Sequence, residues 1–176
     1  MKIRSASSRR PLATLVAVAA CALLALGLSV GIAAGKGNSC APGAEASGCK
    51  LPDGARFYKK FKASSITVQV SGKGFSFSTY GAPIKCTKYA PMLGDEAYVA
   101  INLSGSPTPK VGKSYTLKKT ETQRGEEGEG TSTTTTEVTL TFKSAKQVTV
   151  KLHQLSETDG EIGCDGGATW TANRQS

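Results

Sequence analysis

The stretch VTLTFKSAKQVTVKL, from Val138 to Leu152, alternates apolar and polar residues through two successive runs. Val138, Leu140 and Phe142 fall on one side of an extended chain, and Val148, Val150 and Leu152 repeat the pattern. Successive side chains of a strand point to opposite faces, so this period of two sets one row against a core and the other in water. The same period recurs upstream at Ile66, Val68 and Val70, at Phe75 and Phe77, and at Val99, Ile101 and Leu103. Shorter strands around Tyr115 and around residues 168–172 bring the expected number to about seven. No long amphipathic helix follows Gly35. The pattern predicts an all-β fold, a small antiparallel β-sandwich or barrel.

Turn chemistry agrees with local, meandering connections. Ser71-Gly72-Lys73-Gly74 separates two alternating runs closely enough for a hairpin, and Asp159-Gly160 supplies the positive-φ residues expected between the last strands. Residues 121–136 contain Arg-Gly-Glu-Glu-Gly-Glu-Gly followed by a Ser/Thr run and have little to bury. The middle of that segment is expected to be a mobile, solvated hairpin loop, with like-charge repulsion opposing cation capture by its glutamates.

Residues 12–35 form an uncharged run preceded by Lys2, Arg4, Arg9 and Arg10 and closed by Gly31, Ala33, Ala34 and Gly35. A basic head, an apolar middle and a small-residue end follow the order of a secretory signal. The run is also long enough to remain as an uncleaved anchor, since roughly 20 apolar residues cross a bilayer. Its Ala, Gly and Val content favours cleavage near Ala34 or Gly35. A third reading places lipid on Cys21 after Val18-Ala19-Ala20, although the apolar run continues beyond that cysteine. The expected organisation is a signal peptide or anchor at 1–35, a Gly/Ala/Ser-rich linker at 36–56 and a β-rich globular domain at 57–176.

Removing the first 35 of the 176 residues leaves 141, enough for one domain. These carry 18 basic and 13 acidic side chains, a moderate net charge of +5 that favours solubility and attraction to anionic surfaces. Cys40, Cys49, Cys86 and Cys164 remain, an even number suited to two disulfides in an oxidising compartment. Of three pairings, Cys40 with Cys49 closes a local loop and Cys86 with Cys164 joins distant strands; this is the expected set. There is no CxxC pair and His153 is the only histidine, so zinc and blue-copper ligand sets are missing. No cofactor is implied.

Candidate chemistry is sparse. His153, Ser156 and Asp159 lie close in sequence, but alternation places His153 with Lys151 and Thr149, and no nucleophile elbow accompanies it. An exposed strand histidine is expected. Glu157, Asp159, Glu161 and Asp165 offer oxygens for calcium, yet their spacing is not that of an EF-hand, and a turn followed by a strand would point them in different directions. Asn102-Leu103-Ser104 is a glycosylation acceptor only in a eukaryotic secretory pathway.

The segment Phe57-Tyr58-Lys59-Lys60-Phe61-Lys62 mixes rings with positive charge. Such mixtures bind single-stranded nucleic acid, and they equally arise when a first strand buries alternate aromatics and turns its lysines to water. Export disfavours nucleic acid. The expected contact residues are Tyr58, Lys59, Lys60 and Lys62, facing an anionic cell-surface ligand or protein, with membrane contact confined to the N-terminal segment if it is retained. The functional expectation is an exported, non-enzymatic binding or cell-envelope-associated domain; a small secreted hydrolase and a lipid-anchored surface lipoprotein are the alternatives. Intact-mass analysis of the native product is expected to find a free N-terminus between Gly35 and Cys40. Retention of residues 12–34 would establish the anchor, and acylation at Cys21 the lipoprotein.

Overall fold

Among the described residues eight strands follow one another with no helix: β1 (Arg56–Lys60), β2 (Ser65–Ser71), β3 (Gly74–Tyr89), β4 (Glu96–Gly105), β5 (Ser114–Arg124), β6 (Thr131–Ser144), β7 (Gln147–Thr158) and β8 (Glu161–Arg174). The computed structural model describes residue 40 and residues 47–125 and 130–176, all belonging to one unit, Gly35–Ser176. Residues 1–35, expected to be a signal peptide or anchor, and the glutamates expected in a mobile loop at 126–129 lie outside these residues.

All neighbours are antiparallel, in the order β4-β3-β2-β1-β8-β7-β6-β5, with β3 also pairing with β8. The sheet therefore consists of two four-strand meanders joined through β8. β3 serves two neighbours in turn. Its first half pairs with β2, from Ser65 opposite Tyr80 to Ser71 opposite Gly74, and its second half pairs with β8, from Lys85 opposite Gly167 to Tyr89 opposite Cys164. Between the halves the register against β4 breaks from Thr79 to Ala82. Gly81 sits in that break at φ 71°, a conformation a side-chain-bearing residue rarely adopts, and the bulge bends the strand away from β2.

The alternating rows supply the interior. Phe57, Ile66, Val68, Phe77, Val138, Leu140, Phe142, Val148 and Val150 are wholly buried. The two edge strands, β4 and β5, share no ladder; Gly105 of β4 lies against the Leu117 side chain of β5, and beside this seam Phe75 on β3 packs edge-to-face on Tyr115 of β5 at 5.2 Å, both rings contacting Phe142 of β6. The result is a curled, barrel-like β-sheet. One end is closed by residues 48–51, which bond to 109–111 through Gly48 N–H to Val111 O, Val111 N–H to Cys49 O and Leu51 N–H to Pro109 O. Leu51 and Ala55 are buried within the stretch expected as a linker, because two apolar residues separated by a turn leave no periodic mark.

β5 and β6 extend far beyond their apolar rows. The ladder runs on to Arg124 opposite Thr131, so the flanks of the segment expected to have little to bury are strand. Cross-strand hydroxyl pairs line its outer face: Ser114 with Thr141 at 2.8 Å, Thr116 with Thr139 at 3.1 Å, Thr120 with Thr135 at 3.0 Å and Thr122 with Thr133 at 3.4 Å. β-branched threonine suits a pleated surface, and such pairs contribute roughly 0.2–1 kcal/mol each. The Asp159-Gly160 turn has the anticipated positive φ values, 51° and 83°.

Disulfides join Cys40 to Cys49 and Cys86 to Cys164, spanning 9 and 78 residues. The longer one lies where β3 meets β8, with Cα atoms 5.4 Å apart. Replacing Cys86 and Cys164 together by alanine is expected to lower stability in urea unfolding by about 4 kcal/mol, the chain-entropy cost of so long a loop. The same change at Cys40 and Cys49 should cost about half as much; equal losses would show that loop length is not what sets the effect.

Candidate functional site

The outer face of β1–β3 gathers the basic and aromatic residues. Phe57 of β1 points into the core, so alternation turns Tyr58 and Lys60 outward. Tyr58 stands opposite Thr67 and Lys60 opposite Ser65, and Ser65 in turn stands opposite Tyr80 on β3. Tyr58, Lys60, Ser65 and Tyr80, together with Lys62 and Ser64 from the β1–β2 turn, line a shallow depression of about 410 Å³. Of the four expected contact residues, Tyr58, Lys60 and Lys62 come together on this depression. Lys59 does not line the depression; it follows the direction of Phe57 and Phe61, the latter packed edge-to-face on Trp170 at 5.6 Å.

Tyr80 is the residue sequence reasoning missed. It is 80% exposed, the last outward position of β3 before the Gly81 bulge. Across the bulge on β4, Val99 and Ile101 point inward, which turns Tyr98 outward opposite Pro83, 69% exposed. Only Ala100 separates Tyr98 from the corner where Tyr80 lies. Both tyrosines follow polar or small residues in an alternating run, and strand register is needed to set them on one face.

Charge reinforces the arrangement around the depression, whereas beside Tyr98 the outward row of β4 also carries Glu96. From Gly54 to Gly94 there is no Asp or Glu, while Arg56, Lys59, Lys60, Lys62, Lys73, Lys85 and Lys88 supply seven basic residues. Lys85 pairs with Asp95 at 3.4 Å and Lys88 lies 3.8 Å from Asp165. Lys60 and Lys62 form no ion pair among the described residues. Their fields add in the depression without a carboxylate to cancel them. A second depression of about 440 Å³ at the β2–β3 turn, beside Lys73 and Ser104, contains no exposed ring.

The remaining candidates disperse. His153 donates from Nε2 to Asp165 Oδ1 at 2.9 Å, a partner brought across from β8. Ser156 lies three positions along β7 and points to the other face, while Asp159 Oδ1 accepts the Thr131 N–H at 2.8 Å. His153, Ser156 and Asp159 therefore do not assemble. The shallow recess of about 180 Å³ beside His153 is lined by Glu137, Thr139 and Lys151. Glu157 and Glu161 sit opposite Ile162 and Thr158, apart from Asp165. Among the described residues no three His, Cys, Asp or Glu side chains converge to hold a metal ion, and no helix is long and apolar enough to cross a membrane.

The chain matches no protein-family model, curated protein or solved structure. The site is therefore read from its own geometry. Because Tyr80 and Tyr98 leave most of their surface in solvent, replacing either by alanine is expected to change unfolding free energy by less than about 0.5 kcal/mol. Denaturant titration checks this, and a larger loss would mean that these rings hold the sheet together.

Proposed function

We propose that this protein is an exported, non-enzymatic recognition domain that binds an anionic partner at the cell surface through Tyr58, Lys60 and Lys62, with Tyr80 completing the face. The observation that carries the reading is the convergence of two lysines and two tyrosines on one depression, within a stretch of chain that has no carboxylate. Lysine ammonium groups held on a rigid sheet attract anions over about a Debye length, and the effect weakens with salt. The two disulfides fit an extracytoplasmic, oxidising compartment. Neither function nor location requires a cofactor.

Catalysis is the weaker reading, since among the described residues no serine or cysteine lines the recess beside the hydrogen-bonded His153–Asp165 pair. The protein with both Lys60→Glu and Lys62→Glu is expected to be retained on native cell-envelope material at least tenfold less than the wild type at low salt. Wild-type retention should itself fall as ionic strength rises. Retention unchanged by the substitutions at both low and high salt would reject this face as the binding site, and turnover of a substrate lost on His153→Ala would reject the non-enzymatic reading.

A further inference from the structure

We propose that the anionic partner is an acidic polysaccharide, which lies across the strands on a row of three tyrosines, Tyr58, Tyr80 and Tyr98, with its charges facing Lys60 and Lys62. This rests on the binding face assigned above and adds the chemical class of its ligand.

The tyrosines occupy β1, β3 and β4, and each points outward from the sheet. With strands about 4.8 Å apart, the row crosses three spacings, about 14 Å, and also steps along the strands, since Tyr58 is level with Ser78 and Asn102 whereas Tyr80 is level with Ser65 and Lys60, so it runs diagonally and is longer than that. That span suits several units of a chain rather than one small molecule. Tyr80 and Tyr98 are diagonal neighbours across the bulge, a relation that sets side chains about 7–8 Å apart. Their exposures of 80% and 69% show that neither ring is covered by the other or by the sheet. Ala100 between them keeps the surface low, so a flat ligand can reach both rings.

A ring face is the negative region of an aromatic side chain. The C–H bonds on one face of a pyranose are weakly positive and can lie against it, leaving the sugar hydroxyls free at the edges. Ser65, Thr67, Ser78 and Asn102 occupy the same outer face, where they can exchange hydrogen bonds with those hydroxyls. A carboxylated or sulfated sugar then places its charge toward Lys60 and Lys62. An acidic peptide would more naturally pair with a sheet edge, whereas this row crosses a sheet face. A lipid surface would select apolar groups, and the exposed Met92 and Leu93 lie on the separate β3–β4 turn.

The test uses the mature, disulfide-bonded protein in affinity electrophoresis and calorimetry. The probes are polygalacturonate, hyaluronate and heparin, compared with neutral dextran, polyglutamate and phosphatidylglycerol vesicles. At least one acidic polysaccharide is expected to bind saturably and more tightly than polyglutamate, with dextran unbound. Joint Tyr80→Ala and Tyr98→Ala substitution should weaken it at least tenfold, while Tyr80→Phe and Tyr98→Phe retain most of the affinity. Lys60→Glu with Lys62→Glu should also weaken it and flatten its salt dependence. Equal binding of polyglutamate or vesicles with no effect of the tyrosine-to-alanine pair overturns the polysaccharide inference and leaves the anion-binding face standing. Retention on native envelope that depends on the lysines, with no polysaccharide of the panel bound, overturns it in the same way. Polysaccharide binding that ignores the lysines overturns the face itself.

Discussion

The backbone pairing of β3 with β8 is the constraint from which the rest of the sheet follows. β8 is flanked on one side by β7 along its whole length and on the other by β3 at Cys164–Gly167 and then by β1 at Asn173 and Arg174. A Cβ at Gly166 would overlap the Lys85 carbonyl oxygen, and one at Gly167 the Leu152 carbonyl oxygen. Side chains at these two positions would force the strands apart, and overpacking of this kind typically costs about 1–3 kcal/mol. The Cys86–Cys164 disulfide and the bulge at Gly81 act at the same junction. One covalently fixes the two strands, and the other bends β3 away from β2 so that it can reach β8.

This junction also explains which parts of the fold were legible. Val138 to Leu152 announced two strands because one row is apolar and the other polar. β8 was visible only near residues 168–172, since Gly163, Gly166 and Gly167 have no side chains with which to show a period. β5 and β6 were under-read for a different reason: between 118 and 136 both rows are polar, and hydropathy alone cannot register a strand whose outer threonines bond to one another. Threonine's preference for extended backbone was the remaining signal. The basic-aromatic site was half legible. Tyr58 and Lys60 share a face by simple alternation, which also separates Lys59 from them, whereas Tyr80 and Tyr98 reach that face only through pairings and a bulge some 20 to 40 residues downstream.

Proximity in sequence proved a poor guide to the histidine. His153 passes over Ser156 and Asp159 and bonds to Asp165, which Lys88 also approaches from β3. Asp165 follows Cys164 directly, and alternation sends the two side chains to opposite faces. β3, β7 and β8 are therefore tied by polar contacts outside and, for β3 and β8, by the disulfide within. Much of the polar chemistry at this end of the chain holds strands together.

The two outer faces differ in what their hydroxyls have left to offer. On β5 and β6, Ser114, Thr116, Thr120 and Thr122 each bond to the residue opposite, so an incoming ligand must displace an existing hydrogen bond for each one it makes. On β1–β4 no such cross-strand hydroxyl pair forms among the described residues, although Thr67 faces Ser78 and Ser78 faces Asn102. Hydrogen bonds from such groups to solvent can be exchanged for a ligand's hydroxyls at little net cost. Tyrosine adds contact area with few rotatable bonds to freeze, and the lysines beside it have no internal partner to abandon. These features together favour the β1–β4 face over the threonine face for the proposed recognition.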